Sequence, residues 1–177
     1  MRKFIPIIIA CITVMLLGAL IVRYEAQLAA GTPMYAKLAP VDPRSLIQGD
    51  YMQLGYALVG INDVDAETVD DHEHGKRRQA WVMLDDANRI VSADWQASNT
   101  HSTPLMLTFH HWQWHPATDS FLFAEGLGEC YGEARYAKLS VADDGQAMLV
   151  DLVDENLQVL NCQDGVSWWQ GAQDRSH

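Results

Sequence analysis

The sequence predicts a mainly β protein, with one N-terminal transmembrane helix followed by a small antiparallel β-sandwich or partly open barrel. Two observations lead to this class. Residues 4–22 form one uninterrupted apolar run, whereas the apolar residues after it recur in short runs, some with period two, between brief polar turns. Many short strands with short connections favour antiparallel sheets over alternating β and α units. The 177 residues are enough for one anchored domain with its own core.

The apolar run, FIPIIIACITVMLLGALIV, has 19 residues and no charged side chain. At about 1.5 Å per helical residue it spans the roughly 30 Å hydrocarbon layer of a membrane. Arg2 and Lys3 precede the run and Arg23 directly follows it. The positive-inside tendency therefore predicts residues 1–3 in the cytoplasm, a helix over residues 4–22 in the inner membrane and a periplasmic or otherwise extracytoplasmic remainder.

A cleaved signal peptide is the competing interpretation of this segment. Signal peptides have a shorter apolar region, of about 7–15 residues, and a cleavage site with small residues at its first and third positions. Cleavage after Ala30 would place Leu28 at the third position, and cleavage after Ala29 would place Gln27 there. We therefore expect an uncleaved single-pass signal anchor.

Charge excludes one class of partner. The chain has 12 Lys+Arg against 23 Asp+Glu, a formal net charge of −11. Nucleic-acid binding depends on Lys and Arg neutralising phosphates, so we predict no nucleic-acid partner. The acidic body should also be repelled by anionic lipid headgroups.

The exported part divides into three segments. Residues 23–33 are a juxtamembrane linker that continues the helix for a turn or two until Gly31, residues 34–164 are the β domain, and residues 165–177 are a loose tail. Loops are predicted over 61–78 and 125–135, the second with glycines too dense for a stable helix. Turns are predicted at 85–88 and 143–145. Strands are predicted over residues 34–39, 50–59, 80–84, 89–95, 105–112, 120–123, 136–141 and 147–152.

The strand over residues 50–59, DYMQLGYALV, shows the clearest alternation. Its period of two places one apolar set on a single face, with smaller or polar residues on the other. We expect that face to be buried. It consists of Met52, Leu54, Tyr56 and Leu58.

The octapeptide GDYMQLGY at residues 49–56 fits the signature G-D-Y-x-x-L-x-Y, and the chain resembles the GDYXXLXY family that this signature names. The upstream GTPMYAKLAPVDPRSLIQ and the downstream FLFAEGLGECYGEARYAKLSVADDGQAMLVDL also resemble that family. The resemblance implies a single-pass bacterial membrane protein of a family without an assigned activity, commonly encoded beside multi-pass membrane proteins. It carries over no catalytic residue. The signature positions are Gly49, Asp50, Tyr51, Leu54 and Tyr56.

The physical interpretation of the signature is a turn that enters a core strand. Gly49 and Asp50 suit the turn, because glycine accepts a positive φ and an Asp carboxylate accepts local backbone N–H bonds. A buried tyrosine needs a partner for its hydroxyl, so Tyr51 or Tyr56 should bond an acidic residue or a carbonyl. The alternative is a ligand or partner surface around Asp50 and Tyr51.

No catalytic constellation is apparent in the sequence. A Ser/Lys hydrolase needs a serine paired with a lysine base, but Ser45 lies within a predicted turn and Lys37 on another segment. We therefore predict no enzymatic activity and no cofactor.

Histidines supply the metal candidates. His72 and His74, in the acidic stretch DDHEH, would project to the same side of a strand and could bind Zn or Cu. No third ligand is set by spacing there, so a solvated loop is the alternative. His110 and His111 form a second group with His115.

The stretch FHHWQWH, residues 109–115, would place Trp112 and Trp114 on one face of a regular strand. We expect both indoles in the core. A carbohydrate or partner platform is the alternative, since exposed aromatic side chains often anchor binding.

Cys130 and Cys162 would both face an oxidising compartment, and a bridge between them would contribute about 3 kcal/mol. Cys11 lies in the membrane segment.

The functional prediction is a noncatalytic, membrane-anchored β domain that acts as an accessory or interaction subunit, with a multi-pass membrane protein as partner. The alternative is a periplasmic metal or small-ligand binding protein.

Overall fold

The computed structural model describes residues 5–39, 51–61, 75–124 and 127–162. It begins with the helix α1, Ile5–Ala30, which ends immediately before Gly31 as the sequence predicts. Residues 9–26 are long and apolar enough to cross a membrane, and none of this span is buried. A helix of this kind near the N-terminus is found in membrane anchors and in signal sequences alike.

Strands make up most of the remaining secondary structure. In chain order, the elements after α1 are β1 Thr32–Ala39, β2 Tyr51–Gln53, β3 Gly55–Tyr56, β4 Arg77–Leu84, β5 Ile90–Asp94, β6 Thr103–His110, β7 Gln113–His115, β8 Ser120–Leu122, α2 Gly128–Tyr131, β9 Tyr136–Val141 and β10 Ala147–Val153.

The first large sheet has the strand order β10-β9-β1-β3, and every pairing in it is antiparallel. On the face toward the core, Met34 pairs with Leu139 and Ala36 with Ala137, and all four side chains are buried. Apolar residues on alternate positions thus close one side of the core.

The second large sheet has the order β5-β4-β6-β7 and is also antiparallel. Val82 of β4 and Leu105, Leu107 and Phe109 of β6 are buried on its inner face. A separate two-stranded ribbon is formed by β2 and β8.

The two large sheets enclose one apolar core and meet along both sides. On one side the N–H of Tyr35 in β1 donates to the carbonyl of Asn88, just before β5, at 2.9 Å. On the other side β3 lies beside β7. The predicted class, a mainly β protein with antiparallel sheets after an apolar N-terminal helix, is confirmed.

The connection between β9 and β10 illustrates how a predicted turn forms. Gly145 has φ +82°, and a Cβ there would approach the backbone of Pro104 and Met106. Its carbonyl accepts a hydrogen bond from the N–H of Met106 at 2.7 Å. Glycine is needed both for the positive φ and for the close packing against β6.

Three strands begin earlier than predicted. β1 begins at Thr32, β4 at Arg77 and β6 at Thr103, because these residues pair with neighbouring strands: Thr32 with Val141, Arg77 with Thr108 and Thr103 with Val82. Hydrogen bonding to a neighbour thus extends strands into residues whose polarity suggested loop. Arg77 and Arg78, predicted as the end of the loop over 61–78, thus belong to β4, whereas residues 62–74 of that loop lie outside the described residues.

Residues 50–59 do not form the single strand that was predicted, but the prediction of which side chains are buried is confirmed. Met52, Leu54, Tyr56 and Leu58 are all buried, as the alternation predicts. The strand is interrupted at Leu54, however, so that β2 pairs with β8 while β3 pairs with β1.

Two further predictions need correction. The chain reverses direction at His111 and Trp112, so the predicted strand over 105–112 ends at His110 and no single strand covers 109–115. The glycine-rich segment 125–135 contains one helical turn, α2, whose Tyr131 is buried against Phe121 and Phe123. This packing compensates for poor helix propensity.

Candidate functional site

The family signature lies where the structure joins the ribbon to the large sheets. Gly49 and Asp50 lie outside the described residues, so that of the binding surface proposed around Asp50 and Tyr51 only Tyr51 is described. Tyr51 pairs with Leu122 and is 48% exposed. Leu54 and Tyr56 are buried.

Leu54 and Tyr56 both hold the segment that precedes β8. The N–H of Leu54 donates to the carbonyl of Asp119 at 2.7 Å, and the hydroxyl of Tyr56 donates to the carbonyl of Thr118 at 2.8 Å. Burial, with the nearby Asp119 carboxylate, raises the pKa of Tyr56 well above its usual value, so the hydroxyl remains protonated and can donate. The tyrosine hydroxyl thus meets a carbonyl, one of the two partners expected from the sequence.

The β6–β7 hairpin brings histidines to the same place. His110 pairs with Gln113, so the turn consists of His111 and Trp112 alone. Their φ angles are +45° and +63°, the region that two-residue hairpins require and that Asn-Gly usually supplies. A tryptophan with positive φ is uncommon.

Three potential metal ligands converge at this turn: His110, His111 and Asp119, called here the ligand trio. The Nδ1 atom of His110 lies 3.4 Å from Oδ2 of Asp119, and the Nδ1 atom of His111 lies 3.1 Å from the same oxygen. One donor atom from each residue lies within 4.8 Å of the others. Both histidines are exposed and the aspartate is partly so.

His115 lies beneath the trio and is buried. Its ring meets Tyr56 edge to face, with centroids 5.6 Å apart, and its Nε2 is 3.0 Å from the carbonyl oxygen of His110. Burial lowers the pKa of His115, which favours the neutral ring. In that form Nε2–H donates to the carbonyl, and Nδ1 has no hydrogen-bond partner among the described residues.

Aromatic packing supports the hairpin from the core side. Trp114 is buried and contacts Phe109 and Trp95, with ring centroids 5.2 Å and 4.8 Å away. The guanidinium of Arg78 lies over the Trp95 ring, 4.2 Å from its centroid. Trp112, in contrast, is 49% exposed, so the expectation that both indoles lie in the core is wrong.

The other residues singled out from the sequence lie elsewhere. Cys130 and Cys162 form a disulfide with their Cα atoms 5.8 Å apart. His72, His74 and Ser45 lie outside the described residues, and so does the tail over residues 165–177. The sequence interpretation singled out His110, His111 and His115 but missed Asp119, because its proximity depends on bonds from Leu54 and Tyr56.

One further polar cluster was also missed. The Oγ of Ser92 lies 2.8 Å from Nε2 of His101, as in a nucleophile and its base. The Nδ1 of this histidine contacts the hydroxyls of Ser98 and Thr100 at 3.2 Å and 3.1 Å. These hydroxyls cannot stabilise an imidazolium as the carboxylate of a catalytic triad does.

A shallow cavity of about 220 Å³ opens beside β6 and the segment 116–118. Among the described residues that line it, Arg77 is the charged one, and Thr108, Thr118 and Gln146 are polar. The ligand trio does not line it.

Comparison with known proteins identifies the family. A family model described as GDYXXLXY protein matches residues 13–152, which include the signature, the ligand trio and all of the two large sheets except the last residue of β10. No curated protein and no solved structure matches the chain significantly. The match covers most of the chain and agrees with the octapeptide at residues 49–56, and the chain therefore belongs to the GDYXXLXY protein family.

Proposed function

We propose that this protein is a membrane-tethered β domain that acts as a noncatalytic accessory subunit in a complex with a multi-pass membrane protein. In this proposal α1 is an uncleaved anchor in the inner membrane, the N-terminus is cytoplasmic and the β domain is periplasmic. Arg2 and Lys3 before the apolar helix, against Arg23 alone directly after it, support this orientation.

The observation that carries the proposal is the short connection between helix and sheet. α1 ends at Ala30 and β1 begins at Thr32, so Gly31 alone separates them. A Cβ at Gly31 would overlap the hydroxyl oxygen of Ser140 in β9. A domain tied this closely to a membrane helix would stay near the bilayer surface, where its partners would be other membrane proteins.

The β2–β8 ribbon supplies a surface for such a partner. Tyr51 and Leu122 are paired across its two strands and are 48% and 77% exposed. Exposed neighbouring apolar side chains are typical of interaction surfaces. Since the acidic body should be repelled by anionic lipids, a protein partner suits this surface better than the bilayer does.

The test is affinity purification of the full-length chain, carrying a C-terminal tag, from membranes solubilised in a mild detergent. We expect a multi-pass membrane protein to copurify. The variant Leu122→Lys should reduce its recovery several-fold, whereas the matched control Val150→Lys, at an exposed valine of β10, should leave it unchanged. Recovery of the protein alone, under conditions that preserve known complexes, would contradict the accessory role.

The anchor is tested separately by intact mass. We expect the purified protein to retain the residues of α1, and a C-terminal tag to be accessible to protease only after the outer membrane is opened. A mass that lacks α1 would show cleavage and would remove the tether.

A further inference from the structure

We propose that His110, His111 and Asp119 bind a divalent transition-metal ion, Zn²⁺ or Cu²⁺, at the tip of the β6–β7 hairpin. This site goes beyond the accessory role and does not depend on it. It also differs from the His72 and His74 pair suggested by the sequence.

The distances within the ligand trio fit one small ion. With ligand bonds of about 2.0–2.1 Å in a tetrahedral arrangement, donor atoms lie about 3.3 Å apart. The two Nδ1–Oδ2 distances are 3.1 Å and 3.4 Å. The donor atoms already lie within 4.8 Å of one another, so small side-chain rotations suffice to bring all three onto one ion.

A simple ion pair explains this arrangement less well. Both imidazoles direct Nδ1 at the same carboxylate oxygen, Oδ2 of Asp119. The two ring centroids are 5.3 Å apart, so both nitrogens converge on one small region. A metal ion instead accepts both nitrogens as neutral ligands and takes the carboxylate as a third.

Hydrogen bonds to the backbone hold two of the three ligands, His110 and Asp119, in place. Leu54 and Tyr56 fix the carbonyls of Asp119 and Thr118, and His115 fixes the carbonyl of His110. A site built on anchored backbone loses less conformational freedom when the ion binds. The family signature thus contributes to the site by positioning the aspartate, although none of its described residues is a ligand.

The strained turn points in the same direction. His111 and Trp112 both have positive φ, a conformation that side chains with a Cβ adopt only at an energetic cost. Asn-Gly would fit this turn without that cost. A histidine there is explained if its ring is needed beside Asp119.

The donor set selects the class of metal. Imidazole nitrogens suit Zn²⁺, Cu²⁺ and Ni²⁺, whereas Ca²⁺ and Mg²⁺ prefer sites made of oxygen ligands. The exposure of His110 and His111 leaves further coordination positions open to water or to a ligand from another molecule. Such an open site suits an ion that exchanges or is shared with a partner.

The experiment uses full-length protein in detergent, purified without a His tag, stripped of metal with EDTA and titrated with ZnCl2 and, separately, CuCl2. We expect one ion per chain by metal analysis after gel filtration. His111→Asn should weaken binding by at least about tenfold without unfolding the hairpin, since asparagine tolerates positive φ. Asp119→Asn should weaken binding similarly.

Two control variants make the result specific to the trio. His101→Ala removes a histidine near Ser92, and the double variant His72→Ala, His74→Ala removes the alternative pair. Both should keep wild-type affinity. Less than a tenth of an equivalent bound by the wild type, or unchanged affinity in His111→Asn and Asp119→Asn, would overturn the proposal. Either outcome leaves the partner experiment unaffected, so the two proposals can fail separately.

Discussion

Two hairpin turns in the same sheet are built in opposite ways. In the β4–β5 turn, Asn88 has φ +59°, and the Asp85 carboxylate accepts the N–H groups of Ala87 and Arg89 at 2.9 Å and 2.8 Å. These residue types suit their positions, because asparagine tolerates positive φ and aspartate bonds its own backbone. The β6–β7 turn instead places His111 and Trp112 at positive φ.

The contrast separates turns that serve the fold from turns that carry side chains for another purpose. The Asp85 carboxylate accepts a hydrogen bond from the backbone N–H of Arg89 and another from its guanidinium, the latter at 2.6 Å. Together these bonds hold the pKa of Asp85 below its usual value. That turn therefore satisfies its own charges locally. The His111 ring instead reaches Asp119, eight residues away. A turn whose residues do not suit its backbone conformation is therefore a good place to look for a functional role.

The largest expected effect distinguishes the two tryptophans of the β6–β7 hairpin. Trp114→Ala should lower the free energy of unfolding by about 3–5 kcal/mol, because it leaves a cavity beside Phe109 and Trp95. Trp112→Ala, at the exposed indole, should cost less than about 1 kcal/mol. Urea unfolding of both variants measures the difference. Equal losses would show that Trp112 is also part of the core.

The disulfide tests whether the hairpin site depends on overall stability. Cys130→Ser together with Cys162→Ser should cost about 2–4 kcal/mol, since the bridge joins residues 32 positions apart. Metal affinity at the ligand trio should be unchanged while the protein stays folded. Mass spectra of the wild type should show a gain of two mass units on reduction; two free thiols would contradict the bridge.

The β4–β5 turn should give a smaller effect on stability alone. Asp85→Ala removes the acceptor for two backbone N–H groups, so we expect Tm to fall by a few degrees. Metal binding should not change. A loss of metal affinity in this variant would contradict the claim that the β4–β5 turn serves the fold alone.

Acidification should remove from the wild type the stabilisation that the ionised Asp85 carboxylate provides. The folded-state pKa of Asp85 is lowered, so its charge stabilises the protein above the unfolded pKa, near 3.9, and that stabilisation is lost as the pH falls through the folded value. The difference in Tm between wild type and Asp85→Asn should therefore shrink below about pH 4. A difference that grows with acidity would contradict the lowered pKa.

Sequence patterns predicted the parts of the fold that depend on local residues. The strand over residues 136–141 has the predicted bounds, the turn at 85–88 forms, and the alternation of Met52, Leu54, Tyr56 and Leu58 marks a buried face. In each of these the period of the apolar residues or the turn chemistry agrees with the final structure.

What could not be predicted depends on distant partners. The interruption at Leu54 depends on its bond to Asp119, 65 residues later in the chain. The reversal at His111 carries neither glycine nor asparagine to mark it. The ligand trio combines both features, because the unmarked turn supplies the histidines and the long-range bond supplies the aspartate.

One double variant tests most directly whether the β6–β7 turn is less stable than it could be because its histidine is needed as a ligand. We propose to make His111→Asn with Trp112→Gly in the full-length protein, and to measure Tm and Zn²⁺ affinity side by side. We expect the free energy of unfolding to rise by about 1–2 kcal/mol, because asparagine and glycine adopt positive φ with less strain. We expect Zn²⁺ binding to weaken at least about tenfold. A less stable protein that binds Zn²⁺ as well as the wild type would contradict this interpretation.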